Sequence, residues 1–443
     1  MRDVIARSDA RPQNAPVSAP VDATSRVHPV RVVVGDDLRR TRVTVLFRLI
    51  LALPHLVWIT LFGIAAFTLA FVMWLAVLFE RRAPASLHGF LASFTRYAVQ
   101  LTAYLSLAAD PYPGFTGSRP YPVDVEIDPP AVQGRWGAGF RLVLAVPAFV
   151  VSTTLGGSVA LGSGYGGALA GGVGGLTATV AFLGWFASLA RGRMPRGMRD
   201  AAVYAIGYGA QTTAYALMLT DRYPDSTPGK VQPPPELPPH PIAIGVDDDL
   251  RRPRLLVLFR FPLVVPHLLW LTLWWVLVVL AALAAWILAL VLGRVPRALH
   301  RFMAAFVRAV THLSAFFCVV GRQFPGFVGR EGSYPIDLTI ALPAPQRRLG
   351  VLVRLLLAVP AFLLASTFFV ITLVVGILLW FAALVTGRVP GGLRDLGAAS
   401  LRYQAQAWAY ALLLTSRYPD SSPVLQPAPP EPEPALLELT GLA

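Results

Sequence analysis

Long apolar runs alternate with short polar segments along the chain. Three of these runs contain no charged residue and extend over Leu56–Phe79, Leu268–Leu292 and Leu363–Leu384. A helix of about 20 apolar residues is long enough to cross a hydrocarbon core of about 30 Å. The pattern therefore predicts a helical protein that lies in a membrane.

One motif opens each apolar run: an arginine that precedes a proline by six residues. The arginines are Arg48, Arg141, Arg260 and Arg354, and the prolines are Pro54, Pro147, Pro266 and Pro360. Self-similarity at a fixed period indicates repeated structural units. We predict two halves, 28–231 and 240–424, which divide into the repeats 28–120, 121–231, 240–333 and 334–424. The polar tails 1–27 and 425–443 are predicted to be disordered, and the proline-rich segment 232–239 is predicted to be a stiff linker.

The four repeats share one order of elements. Each begins with a short segment of alternating hydrophobicity, such as YPVDVEI, which favours a β-strand. A charged turn, a long apolar helix, a Gly/Arg/Pro turn and a second helix follow, and a proline ends the second helix. The predicted fold class is an all-α integral membrane protein with a fourfold repeat of helical hairpins and about eight membrane helices. The short β-strands are expected to form a small cytoplasmic sheet.

The charge composition favours a membrane over nucleic acid as the partner. Only 14% of the residues are charged, 55% are hydrophobic, and the net charge is +14. The basic residues flank the apolar runs, where they would meet the head groups of anionic lipids. We therefore expect a lipid bilayer as the partner and no nucleic acid, and the sequence identifies no protein partner.

The distribution of arginines predicts an orientation. The strand-side loops and the tails hold more basic residues than the helix–turn–helix loops, although those short loops are also rich in arginine. Basic residues near membrane helices favour the cytoplasm. The first 27 residues lack the apolar segment of a signal peptide. We predict a multi-pass protein of the inner, cytoplasmic membrane with its termini in the cytoplasm.

The arginine–proline entry, the Gly/Arg/Pro turn and the closing Arg-Tyr-Pro together resemble an uncharacterised bacterial membrane family, the domain of unknown function 4389. The resemblance covers nearly all of 28–423, in tandem copies. It implies residence in a membrane and no established activity.

The four motif arginines are the first candidate site. Arg48, Arg141, Arg260 and Arg354 lie where each apolar run begins. They are interpreted as interfacial anchors for lipid head groups. Either they extend toward phosphates without specificity, or they form specific sites through paired hydrogen bonds.

A polar stripe along each second helix is the other candidate site. Its members recur at spacings of four or eight residues, which places them near one helical face. The stripe consists of His88, Arg96, Gln100, Tyr104, Arg199, Gln211, Tyr215, His300, Arg308, His312, Arg394, Arg402, Gln406 and Tyr410. Three interpretations stay open: a polar cavity for a solute or lipid head group, an amphipathic helix at the interface, or hydrogen bonding between helices.

The sequence offers little support for catalysis, a metal or another cofactor. It contains no nucleophile elbow, P-loop or dinucleotide fingerprint. Duplication alone explains the histidine pairs His28/His240, His55/His267 and His88/His300, so we expect no metal site. Asp36, Asp37 and Asp247–Asp249 are interpreted as solvated turn residues. The glycine-rich insertion Gly156–Gly175 either breaks the first helix of its repeat in the membrane or is a tolerated insertion.

We interpret the chain as a non-enzymatic membrane scaffold or a lipid-interacting component of the cell envelope. The first alternative is a transporter for small solutes or lipids, with a polar cavity lined by the second helix of each repeat. The second alternative is a membrane enzyme.

Overall fold

The structure is a computed structural model that describes residues 28–118, 120–156, 175–229 and 239–425. The predicted disordered tails, the linker and most of the glycine-rich insertion lie outside these residues, apart from Pro239 and Leu425 at their edges.

Helices dominate both halves, and each half contains two short strands. The first half contains β1 (Val30–Val34), α1 (Arg42–Glu80), α2 (Ala85–Leu105), β2 (Val123–Ile127), α3 (Arg135–Gly139), α4 (Arg141–Leu155), α5 (Leu176–Arg191) and α6 (Arg196–Ala216). The second half contains β3 (Ile242–Val246), α7 (Arg254–Leu258), α8 (Arg260–Leu292), α9 (Arg297–Phe317), β4 (Ile336–Ile340), α10 (Arg348–Leu352), α11 (Arg354–Thr386) and α12 (Gly391–Ala411). We call α1, α4 with α5, α8 and α11 the first helices, and α2, α6, α9 and α12 the second helices.

The local sequence sets the helix boundaries. Three first helices end at a glycine in the left-handed conformation, namely Gly192, Gly293 and Gly387, with φ of 66°, 71° and 71°. Glycine adopts this conformation without steric cost and is the usual residue after a helix. A proline precedes each second helix, as Pro84 does before α2, and its fixed φ suits the start of a helix.

The four predicted strands form, but they make two separate two-stranded sheets instead of one. β1 pairs antiparallel with β2, Val30 lying opposite Ile127, and β3 pairs antiparallel with β4, Ile242 lying opposite Ile340. Each strand thus finds its partner within its own half. The reason is that each sheet packs on the two second helices of the same half.

The first helices within each half run in opposite directions. At the start of α1, the Arg40 amide donates to the carbonyl of Gly192, which directly follows α5, at 2.9 Å. At the end of α1, the carbonyl of Arg81 accepts from the Gln133 amide, shortly before α4, at 2.8 Å. The second half repeats both bonds. Hairpins that all began on one side of a membrane, as the sequence suggested, would instead have parallel first helices.

The second helices form the middle layer of the protein. Their central turns are buried on all sides; in α2, for example, Leu91, Phe94, Val99 and Ala103 are at most 4% exposed. The strands pack on one face of these helices and the first helices on another. By contrast, α1 and α8 bury only a narrow stripe and expose most of their apolar circumference.

The two halves meet through α11, which packs against α4 and α5. The hydroxyls of Thr179 and Thr367 form a hydrogen bond of 2.9 Å across this contact. Gly156 and Gly175, which flank the part of the insertion outside the described residues, lie against each other. Together α4 and α5 pack along α6 and occupy the place that a single first helix takes in the other repeats.

Gly117 provides a test of how the loop after α2 packs. Its φ is +67°, and a Cβ there would lie 2.8 Å from both the Ser93 carbonyl oxygen and the Tyr97 amide nitrogen. We expect Gly117→Ala to lower the free energy of unfolding by at least about 1 kcal/mol, measured by thermal unfolding in detergent.

Gly89 is the matched control, because it lies in α2, the helix that Gly117 packs against, and has open space around its Cα. Gly89→Ala should leave stability unchanged or raise it by roughly 0.5–1 kcal/mol. Equal effects of the two substitutions would contradict the packing described.

Candidate functional site

The four motif arginines cap the C-terminal ends of the second helices. Each guanidinium lies over an aromatic ring of its own repeat, and each side chain is at most 3% exposed. The Cζ atoms of Arg48, Arg141, Arg260 and Arg354 lie 4.3, 4.2, 4.4 and 4.3 Å from the ring centroids of Tyr104, Tyr215, Phe316 and Tyr410. The ring face attracts the cation, and the stacking fixes the guanidinium plane.

The same guanidinium groups donate to carbonyls at and just beyond the helix end. Arg48 Nη1 donates to the carbonyl oxygens of Tyr104 and Ala109 at 2.6 and 3.0 Å, and Nη2 binds Asp110 at 2.8 Å. The Tyr104 carbonyl also accepts from the Leu107 amide at 3.1 Å. Arg354 reaches the carbonyl of Thr415 at 2.7 Å. The last carbonyls of a helix lack intrahelical partners, and a cation there also suits the helix dipole.

The lipid-anchor interpretation of these arginines is therefore not supported by their surroundings. All four point into the protein and are occupied by its own carbonyls and rings. Sequence places them at the start of an apolar helix, but only the folded hairpin brings the end of the second helix beside them.

A second set of side chains binds the carbonyl of the second residue after each second helix. These residues are Leu107, Met218, Val319 and Leu413, with φ of 62°, 61°, 61° and 61°. Non-glycine residues in this conformation are strained by roughly 1–2 kcal/mol each. Their carbonyls accept hydrogen bonds, at 2.9, 2.7, 3.1 and 2.6 Å, from Arg40 Nε, Gln133 Nε2, Arg252 Nε and Gln346 Nε2.

The side chain that binds this carbonyl differs between the odd repeats (the first and third) and the even repeats (the second and fourth). In the odd repeats, Arg40 pairs with Asp36 and Arg252 with Asp248, both at 2.7 Å. In the even repeats, the glutamine that binds the carbonyl also accepts from the motif arginine: Gln133 from Arg141 at 2.6 Å. A neutral glutamine thus takes the place of an ion pair.

Asp36 and Asp248 correct the interpretation of the turn aspartates as solvated. Their side chains are 3% and 1% exposed. Only a paired carboxylate is tolerated at such burial, because an isolated buried charge costs far more than an exposed one. Asp37 and Asp249 remain exposed, with side chains 69% and 47% accessible, as the turn interpretation expected.

The central polar stripe residues bind strands and loops directly. Gln211 and Gln406 donate to the carbonyls of Val30 in β1 and Ile242 in β3, at 3.0 and 2.8 Å. Arg308 donates to Leu338 in β4 at 2.7 Å.

Other stripe residues bind acidic side chains of the strands or a loop carbonyl. In the first repeat, Gln100 and Arg96 approach Asp124 of β2, at 3.5 and 3.8 Å. His312 bonds Asp337 of β4 at 2.7 Å, and Arg402 donates to Val424 at 2.6 Å.

The first members of the stripes lie near the helix starts. His88 and His300 are buried, and His300 Nε2 bonds the carbonyl of Leu414 at 3.2 Å. Arg199 and Arg394 pair with the aspartates that follow them, at 2.6 and 2.7 Å. The last members, Tyr104, Tyr215 and Tyr410, are the rings beneath the motif arginines. The stripes therefore connect the second helices to the strands, through backbone carbonyls and acidic side chains, and to neighbouring loops.

An apolar cavity of about 210 Å³ lies between α9 and α12. Trp275, Phe306, Trp408 and Gln404 contribute to its walls, and none of its lining residues belongs to a polar stripe. The corresponding space between α2 and α6 is about 10 Å³. The two halves thus differ at this position, and the larger space suits an apolar ligand.

Histidine and cysteine side chains take structural positions. His55 bonds the Tyr97 hydroxyl at 2.7 Å, and His267 bonds the Pro325 carbonyl at 3.0 Å, so each stays within its own repeat. Burial lowers the pKa of His240 to about 4 and raises the pKa of the Cys318 thiol to about 12. Within the described ranges, no three His, Cys, Asp or Glu residues are grouped to hold a metal ion.

The first helices present a large apolar surface. Three of the helices described are long and apolar enough to cross a membrane: α1, α8 and α11. Only 17% of the apolar window is buried in α1 and in α8, and 39% in α11, which also contacts the first half. Surfaces of this kind on soluble proteins are rare beyond a few hundred Å² and mark interaction sites.

The sequence did not point to the residues that bind the carbonyl of the second residue after each second helix, which we call the second cap. Arg40, Gln133, Arg252 and Gln346 each stand eight residues before a motif arginine. This fixed spacing is visible in the sequence. The residue is arginine where an aspartate stands four positions earlier, and glutamine where none does. Only the structure shows that these residues contact a helix end 67 to 85 residues later in the chain.

Comparison with known families gives a domain but no activity. A family model described as a domain of unknown function (DUF4389) matches residues 42–116 and 348–421. The chain therefore carries this domain in two copies, which lie in the first and the last repeat. No curated protein and no solved structure matches the chain.

Arg48 offers the test of the caps. Arg48→Met keeps much of the side-chain volume but removes the guanidinium from the Tyr104 and Ala109 carbonyls and from Asp110, which keeps its bonds from Thr41. We expect a loss of about 1–3 kcal/mol in the free energy of unfolding, the range for leaving a buried acceptor without its hydrogen bond. Arg48→Lys should recover only part, because an ammonium cannot form the planar stack and paired bonds together.

Arg39 is the control for this substitution, since its side chain is 81% exposed. Arg39→Met should change stability by less than about 0.5 kcal/mol. Thermal unfolding midpoints in detergent would measure both. The cap would be refuted by an Arg48→Met protein as stable as the Arg39→Met protein.

Proposed function

We propose that the protein is a membrane-embedded, non-enzymatic scaffold or lipid-interacting component of the cell envelope. The observation that carries this proposal is the exposed apolar surface of α1, α8 and α11. Leu49, Leu269 and Leu356 on these helices are 77%, 65% and 73% exposed. Covering such side chains with lipid tails is worth roughly 1.5–3 kcal/mol each.

The chemistry of the polar groups supports a structural role. Buried arginines and glutamines make hydrogen bonds that hold helix ends and strands together. These contacts account for the motif arginines and for most of the polar stripes without invoking a substrate. The proposal places the protein in the cytoplasmic membrane, with its termini in the cytoplasm.

A lipid transporter is the second candidate, and the cavity between α9 and α12 is the observation that favours it. Trp275 and Trp408, which line the cavity, are 37% and 40% exposed, so the cavity opens toward the apolar surface. Its lining is mostly apolar, which suits an acyl chain better than a polar solute.

Flotation with phosphatidylcholine–phosphatidylglycerol vesicles tests the membrane proposal. One aspartate on each long helix, in the combined variant Ile64→Asp, Leu283→Asp and Ile377→Asp, should reduce the floating fraction at least tenfold. Each of these positions is 57–62% exposed, and an aspartate within hydrocarbon costs about 2.5–3.5 kcal/mol.

The control variant carries Val33→Asp and Leu342→Asp, at strand-side positions that are 47% and 62% exposed. It should float like the wild type. A wild-type protein that stays soluble without detergent and does not float would overturn the proposal.

A further inference from the structure

We infer that the protein lies within a single leaflet, with its first helices roughly parallel to the membrane plane and its two sheets in water. The inference rests on the proposed membrane residence and specifies its geometry. The partner surface is one leaflet that contains anionic lipids. Four independent observations lead to it: helix length, the position of the sheets, the direction of the repeats and the distribution of exposed arginines.

The long first helices α1 and α11 have exposed apolar surfaces too long for an ordinary crossing. On α1, exposed apolar side chains extend from Val43 to Phe79, which are 66% and 70% exposed. These residues lie about 54 Å apart along a helix that rises 1.5 Å per residue. On α11, Leu355 and Val385 are 62% and 74% exposed and about 45 Å apart. A core of about 30 Å would require a tilt near 50° even for α11, beyond the usual range of about 0–40°.

The sheets lie beside the middle of the second helices rather than beyond their ends. A Cβ on Gly207, in the middle of α6, would lie 3.6 Å from a side-chain carbon of Val32 in β1. The outer face of this sheet carries Arg31, which pairs with Glu126 and Asp128 at 2.8 and 3.2 Å. Their side chains are 44%, 38% and 48% exposed.

A perpendicular arrangement would place this charged, two-stranded sheet at the depth of the hydrocarbon core. Open sheet edges do not face lipid there, because each unpaired backbone group costs several kcal/mol. Exposed charges at that depth are also costly. The second half gives the same result: Glu331, 57% exposed, pairs with Arg308 at the middle of α9. With the helices in the membrane plane, both sheets face water.

The direction of the repeats leads to the same geometry. The chain leaves α2 at the end where α1 begins, and it enters α4 at the other end, where α1 finishes. The connection between α2 and α4 includes β2 and runs the length of the hairpin. In a spanning bundle this extended connection would itself have to cross the bilayer. In a single leaflet it lies on the water side.

Exposed arginines occur at both ends of the first helices. Arg42 and Arg193 lie at one end of the first half, and Arg82 and Arg135 at the other. A spanning protein would show an excess on one side. A protein in one leaflet would have arginines around the rim of its apolar face, where each can reach anionic head groups for about 1 kcal/mol.

Cysteine labelling from one side of the membrane tests the geometry. Four single variants, Arg82→Cys, Arg193→Cys, Val33→Cys and Ile64→Cys, would be treated with a membrane-impermeant maleimide in inverted and in right-side-out vesicles. Native Cys318 is buried and its pKa is raised, so the wild type is the unlabelled control.

A single-leaflet protein predicts that Arg82→Cys, Arg193→Cys and Val33→Cys react in the same vesicle orientation, each at least tenfold faster than in the other. Ile64→Cys, on the lipid face, should react in neither. Reaction of Arg82→Cys and Arg193→Cys in opposite orientations would overturn the inference and leave membrane residence intact. Rapid reaction of Ile64→Cys would instead overturn the membrane proposal itself.

Discussion

The structure depends on how the ends of the second helices are satisfied in apolar surroundings. Carbonyls at and just beyond each helix end need side-chain donors, and the second residue after the helix adopts a left-handed conformation without being glycine. A motif arginine, stacked on an aromatic ring, binds these carbonyls from the start of the first helix. Because the arginine and the helix end belong to opposite ends of one hairpin, the contact closes the hairpin and sets the register of its two helices.

The remaining layers follow from this closure. The second helices become a middle layer, and their glutamines and arginines are left to bind the backbone of the strands. Strand pairing between neighbouring repeats then requires them to run in opposite directions. The apolar first helices pack on another face of the second helices, and α1 and α8 keep most of their circumference exposed, in agreement with the proposed cover of lipid.

Much of the secondary structure was predictable from sequence, and the three-dimensional arrangement was not. Period-2 alternation identified the strands, and the arginine–proline repeat located the long helices, because both depend on local pattern. One sheet and about eight membrane helices were expected; the described residues form two sheets, and three of their helices are long and apolar enough to cross a membrane. Hydropathy predicts that a helix is shielded from water, but it does not distinguish a cover of protein from a cover of lipid. The stripe of Arg96 and Gln100 is polar because a strand packs on it, which no local pattern distinguishes from a cavity or an interface.

The orientation of the helices relative to the membrane is the most direct test of this account. Polarised infrared spectroscopy of the protein in oriented phosphatidylcholine–phosphatidylglycerol bilayers measures the angle between the helix axes and the membrane normal. Helices that lie in one leaflet predict amide I dichroism of axes near the membrane plane. Dichroism of axes within about 40° of the normal, the usual range for spanning helices, would contradict it.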